Sequence, residues 1–346
     1  MFQPLEKTAR SWGPARRREP IRVLRRNGKT GVRGGRAVPL ALGAALGIAA
    51  TAAGCRDRRD VRALDLQYNW EDTREVPAGQ IAARRAAAWP ARVTSPSAIA
   101  VLSDGRIAVA GSDDVVLLND RGEELRRFAL RRPARGVAGD PDGRALYVVS
   151  RDRVEMLNLE TGDSTAWSAL GERAMLTSVA VSDAQVFVAD AGQRIVHRFA
   201  PDGRPLGDLG ARDAVRGAPG LVVPSPYLDV AIGPGDFVWV VNPGRRSIEK
   251  YRFDGAFDSA WQPKPEGIEA FPGCCNPAHI ALRADGSFVT AEKGIPRVKL
   301  YGPDGTFIGV IAAPSEFDEQ EDGLDLAALP DGRVLVVHVP PRLPGT

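Results

Sequence analysis

Residues 178–203 read SVAVSDAQVFVADAGQRIVHRFAPDG. An apolar strand runs into a Ser-Asp turn, and a second apolar strand ends at Asp190. A polar loop follows, then a third strand that alternates up to Pro201-Asp202-Gly203. Alternation with a period of two places one face of each strand in a core, and turns of this type join antiparallel neighbours. The unit recurs as AIAVLSDGRIAVAG (98–111), GVAGDPDGRALYVVS (136–150), DVAIGPGDFVWVVN (229–242), HIALRADGSFVTAE (279–292) and LDLAALPDGRVLVVH (324–338). The first turns fall at Asp104, Asp142, Asp183, Gly235, Asp285 and Asp331, 38 to 52 residues apart. Each copy but the last has a second landmark, a turn glycine at Gly122, Gly162, Gly203, Gly255 or Gly305, with nearly the same spacings.

Two landmarks that keep one period of roughly 40–50 residues indicate four-stranded propeller blades. Six copies predict an all-β, six-bladed β-propeller over residues 96–346. A seven- or eight-bladed ring needs more repeats than the chain holds. The sixth copy stops after Val334–Val339, where Pro-Pro-Arg-Leu-Pro-Gly-Thr ends the sequence. An open sheet edge invites aggregation, so the missing strands are expected from the segment before blade 1. Residues 62–70 alternate as a strand should, and 79–92 offers a strand or a short helix. Part of 60–92 is therefore expected to complete blade 6.

The chain has 346 residues and a formal charge of +3, but the charge is segregated. Residues 1–36 hold eleven Lys/Arg and two acids, residues 37–54 hold no charge, and the rest holds 35 basic and 41 acidic residues. The body is acidic, which excludes a nucleic-acid reading based on overall charge. Val38 to Ala50 is apolar and runs into Thr51-Ala-Ala-Gly-Cys55. A basic stretch, a short apolar core and a small-residue end form an export signal, and this core is too short to span a bilayer. The Ala-Ala-Gly-Cys55 end resembles a bacterial lipoprotein signal, although Ala52 stands where leucine is usual. That resemblance implies lipidation of Cys55 and loss of residues 1–54. Plain secretion with an unmodified Cys55 and an uncleaved anchor are the alternatives. Residues 1–31 exceed an ordinary basic region, and a start near Val32 would leave a normal signal. The expected organisation is a signal region (1–54), a linker and blade-closing segment (55–95), and the propeller (96–346). The expected address is the cell envelope, with a soluble secreted or periplasmic form as the alternative.

Blade 3, Val186 to Gly203, and blade 5, Asn276 to Glu292, resemble the NHL-repeat family of six-bladed propellers. Blade 5 also carries GCCNP (273–277) and TAEKGIPR (290–297), a combination similar to a subgroup of bacterial NHL-repeat proteins. The resemblance implies the fold and is nearly silent on activity, because propellers host many functions.

Aligned copies put Gly111, Ser150, Asp190, Asn242, Glu292 and His338 at one position, just after the second strand. Lactonase-like propellers hold a divalent cation with Glu, Asn and Asp on the channel rim. Asp190, Asn242 and Glu292 have those types. The alternative is that these side chains bond their own turns. In blade 5 the entry and rim loops are expected to be neighbours, so that Cys274, Cys275, His279, Glu292, Lys293 and Arg297 form a binding rim. Once Cys55 is lipidated, two cysteines remain, and a vicinal Cys274–Cys275 disulfide is expected in an oxidising compartment. A soft metal on both thiolates plus His279, or two packed thiols, are the other readings. Only three histidines are present, too few for a histidine-held zinc lyase. No Gly-x-Ser-x-Gly elbow, phosphate loop or His-Glu-x-x-His occurs. No motif calls for a cofactor, and a divalent cation is the one candidate. The resulting expectation is a lipid-anchored module that binds another envelope protein or a small ligand through blade 5. A metal-dependent hydrolase and a redox- or metal-linked accessory protein are the alternatives.

Overall fold

The computed structural model describes residues 21–26, 74–317 and 323–339. They form six four-stranded antiparallel sheets. In five of them the strands follow chain order from the channel outward. Blade 1 comprises Ala98–Val101, Ile107–Ala110, Asp114–Leu118 and Glu124–Ala129. Blade 2 runs from Gly136 to Ala166, blade 3 from Leu176 to Leu209, blade 4 from Val230 to Trp261, and blade 5 from His279 to Ala312. The innermost strands touch in sequence, and Gly323–Ala328 of blade 6 returns to Ala98–Val101 of blade 1. The ring is therefore a closed six-bladed β-propeller.

Blade 6 is closed from the N-terminal side. Gly323–Ala328 and Val334–Val339 supply its two inner strands. Ile21–Arg26 is the third and Ala83–Trp89 the fourth. Ala83–Trp89 lies inside the segment expected to complete the blade. Ile21–Arg26 lies outside it, within the 1–54 stretch that reads as a signal region. Ile21 pairs with Val337 on one side and Trp89 on the other. Ile21, Val23 and Leu24 are buried. Arginine is the other half of this strand, so it reads as part of a basic tail, yet its apolar residues fill a core position between two strands. Two consequences follow. Cleavage before Cys55 would remove this strand. Moreover, strands paired in one sheet lie on the same side of any membrane, so a single membrane pass between them is excluded while Ile21–Arg26 holds its place. The candidate strand at 62–70, the apolar stretch at 38–50 and Cys55 itself lie outside the described residues. Among the described residues, no helix is long and apolar enough to cross a membrane.

Blade-to-blade packing explains the second landmark. Gly122, Gly203 and Gly305 have φ of +76°, +87° and +81°. Each lies against a tryptophan from the outer edge of the preceding blade: Trp89, Trp167 and Trp261, respectively. A Cβ at Gly203 would stand 2.9 Å from the Trp167 ring, and one at Gly305 2.7 Å from Trp261. These positions need glycine both for the left-handed turn and for the close approach. In three of the six copies the first landmark is an Asx turn. The Asp104, Asp285 and Asp331 carboxylates each accept the N–H two residues on, which fixes the hairpin tip.

Candidate functional site

Asp190, Asn242 and Glu292 do occupy equivalent ends of second strands, and all three are buried. Each is engaged inside its own blade. Asp190 Oδ1 accepts the N–H groups of Met175, Gly192 and Gln193 at 2.9, 2.9 and 3.0 Å. Its Oδ2 accepts from Gln193 Nε2 at 2.9 Å and lies 3.2 Å from His197 Nε2. His197 Nδ1 is 2.8 Å from Asp208. Burial opposes both charges, but these bonds outweigh it. Asp190 is held below the usual carboxylate range and His197 above the usual imidazole value.

Asn242 Oδ1 accepts the Val222 N–H at 2.9 Å, and its amide donates to Gly220 O and to Glu249 Oε1. Glu249 accepts the Tyr251 hydroxyl at 2.6 Å, and burial pushes the Glu249 carboxyl up. Glu292 Oε2 is 2.7 Å from Arg297 Nη2, and its Oε1 is 2.5 Å from Lys299 Nζ. Lys299 also donates to the carbonyls of Ile268, Glu269 and Ala270. Burial lowers its pKa to about 8.

Two expectations are corrected by this geometry. Asp190, Asn242 and Glu292 are committed to loop N–H groups and buried cations in three separate blades, so they do not form a cation site. Glu292 and Arg297 are each 1% exposed and face one another across adjacent strands, so they do not belong to an accessible rim.

The other rim residues do come together. Asn276 ties the two blade-5 loops. Its Nδ2 donates to Pro272 O at 2.8 Å and Lys293 O at 3.1 Å, and its Oδ1 accepts the Lys293 N–H at 2.9 Å. Cys274 is exposed and Cys275 half-buried. Their sulfurs are 3.1 Å apart and not bonded, so the expected disulfide is not formed in this structure. The thiols differ. For Cys275, burial raises the pKa, but the Ser225 hydroxyl, the Cys274 thiol and the Lys293 charge together lower it below the ordinary thiol value. The Cys274 thiol is pushed up by its hydrogen bond with Cys275. Lys293 Nζ sits 4.5 Å over the Tyr227 ring, and Tyr227 meets His279 edge-on at 6.1 Å.

From His279 the row continues into the channel. His279 Nδ1 is 3.5 Å from Asp229 Oδ2 and 3.3 Å from Asp325 Oδ1. Burial, aided by Asp229 and opposed by His279, raises Asp325 to about 6. Arg135, Thr177 and Ser178 join these three around a cavity of about 70 Å³. Sequence reasoning placed His279 on the rim but missed Ser225, Tyr227, Asp229 and Asp325. A signal existed for the two acids. Leu228-Asp229 and Leu324-Asp325 repeat one dipeptide at the start of innermost strands, the strands that line a channel.

No family model matches the chain, and no curated protein matches it. Among solved structures it is similar to virginiamycin B lyase from Staphylococcus aureus, at 12% identity over 73% of this chain and 84% of that one, TM-score 0.49. A streptogramin B lyase aligns at 12% identity over 70% and 93%, TM-score 0.48. A protein of unknown function from Bacteroides caccae aligns at 13% identity over 68% and 88%, TM-score 0.52. Likeness at this identity says nothing of activity, and the propeller fold rests on the chain's own six sheets.

Proposed function

We propose that the chain is an exported NHL-type propeller, lipid-anchored through Cys55, that binds another envelope protein or a small ligand through the rim of blades 4 and 5. The observation that carries the binding reading is the Asn276 tie. It holds the thiol pair, with Cys274 exposed, and Lys293 in one fixed patch beside Tyr227 and His279. A preformed patch of mixed chemistry suits recognition, because little ordering cost remains at binding. A photo-crosslinking residue at Lys293 tests it in isolated envelopes. Adducts should form there and not from the same residue at Arg144, an exposed turn position elsewhere on the ring. Equal yields at the two positions would contradict a specific rim.

Export rests on the 38–55 pattern, and it competes with the blade-6 strand Ile21–Arg26. A cleaved chain must close blade 6 with other residues, and a chain that keeps the strand is not cleaved at Cys55. Mass analysis of the mature protein decides between them. The proposal expects a diacylglyceryl-Cys55 start. A retained N-terminus would contradict the lipid anchor while leaving the rim untouched.

A redox role is the second reading, favoured by thiols 3.1 Å apart with the Cys275 pKa lowered. In an oxidising compartment a disulfide between adjacent cysteines would stiffen the loop. Thiol counting before and after reduction should differ by two. Equal counts would remove this reading.

A further inference from the structure

We propose that Asp229, His279 and Asp325 bind one divalent cation near the mouth of the channel, with water or an anionic oxygen donor completing its shell. The inference is independent of the rim's partner.

Three observations carry it. The first is spacing. One ligand atom from each residue lies within 4.8 Å of the other two, and the two contacts of His279 Nδ1 are 3.3 and 3.5 Å. A charged N–H···O hydrogen bond prefers about 2.7–2.9 Å, so these contacts are long for one. Ligands held about 2.0–2.2 Å from an ion stand about 3.0–3.6 Å apart along the edges of its polyhedron. The two separations from His279 match those edges, and the third, between the carboxylates, is within 4.8 Å.

The second is preorganisation. Asp229 Oδ1 accepts the Val230 N–H at 2.9 Å, and its Oδ2 accepts the Ile280 N–H at 2.7 Å. Asp325 Oδ1 and Oδ2 accept the N–H groups of Leu326 and Ile99 at 2.9 and 2.8 Å. Each oxygen uses one lone pair on the backbone and keeps another. The carboxylates cannot turn away, because they tie blade 4 to blade 5 and blade 6 to blade 1. Metal-ligating carboxylates are oriented by bonds of this kind.

The third is charge and room. Asp229 is 5% exposed and the Asp325 side chain 15%. Two carboxylates beside one imidazole in such a place carry an excess of negative charge, which favours a bound cation. The 70 Å³ cavity beside them has room for one or two waters at about 30 Å³ each. Arg135, from the blade across the ring, lines the same cavity. It does not suit the cation, but it suits an anion that the cation would bind. Two carboxylates and one imidazole with no thiolate favour manganese or zinc over soft ions.

The test uses the full chain, stripped with chelator and titrated with Mn²⁺, with free Mn²⁺ read by electron paramagnetic resonance. Oxygen and nitrogen donors attract Mn²⁺ and thiols do not, so the cysteine pair is silent. One Mn²⁺ per chain is expected. His279→Ala removes one of the three proposed ligands and should weaken binding at least about tenfold. A Cys274→Ser, Cys275→Ser double variant should bind as the parent does. Failure of the parent to bind Mn²⁺ would overturn the proposal. So would unchanged affinity in His279→Ala, or loss of binding only in the cysteine variant. The parent titration decides even if a variant does not fold.

Discussion

The ends of the second strands and the starts of the first strands both collect buried polar groups, but in different states. At Asp190, Asn242 and Glu292 the bonds are short, from 2.5 to 3.2 Å, and each network closes within one blade. At Asp229, His279 and Asp325 the side-chain contacts are longer, span three blades and border a cavity. Satisfied networks hold loops in place, whereas a polar group with remaining capacity beside a cavity is prepared for something else. Residue type does not separate the two classes, because both contain acids. Spacing and the cavity do.

The sharpest way to break this comparison is Glu292→Gln. It leaves Lys299 and Arg297 buried without their carboxylate, and removing one partner of a buried pair costs about 3–5 kcal/mol. Denaturant unfolding should show that loss. A change near zero would mean that Glu292 is not structural and would reopen its role as a ligand.

Asn242→Ala comes next. It leaves the Val222 N–H and Glu249 with fewer partners, at about 1–3 kcal/mol. The measurement is the same, and an unchanged midpoint would count against closure of the blade-4 network.

The pH dependence of stability follows. His197 has its pKa raised above the ordinary value of 6.5. Its contribution is therefore complete below that value and disappears as pH rises through the folded-state pKa. Asp190 lies below its ordinary 3.8. Its contribution is complete above 3.8 and disappears as pH falls through the lower folded-state value. Asp190→Asn should flatten both slopes in thermal melts. Retention of the parent's profile would show that other groups set it.

The smallest expected effect is that of His279→Ala on stability, about 1 kcal/mol or less. This side chain faces a cavity and does not fill a core. Unfolding of the domain by this change would place His279 among the structural residues instead.

Much of the fold was legible. The first turns recur six times and give six blades, and the later turn glycines keep the same period in five of them. The closing role of the N-terminal side follows from the short last repeat. Ile21–Arg26 was hidden because three arginines in six residues look like a basic tail, and only its partners reveal the strand. The Gly203–Trp167 and Gly305–Trp261 contacts join neighbouring blades at a distance in sequence, so the repeat shows the glycine but not its reason. In the site, His279, the cysteines and Lys293 were visible as departures from the repeat. Glu292 and Arg297 looked like surface charges because their pairing across adjacent strands depends on register. With Lys299 two residues beyond Arg297, that pairing was available to a closer reading. Asp229 and Asp325 meet only when the ring closes, and no local pattern brings blade 4 beside blade 5 and blade 6.

The most direct measurement is an anomalous difference map from crystals grown with Mn²⁺. The account predicts one peak among Asp229, His279 and Asp325, and none beside Asp190, Asn242 or Glu292. A peak at any of those three second-strand ends, or an empty channel mouth in Mn²⁺-saturated crystals, would contradict it.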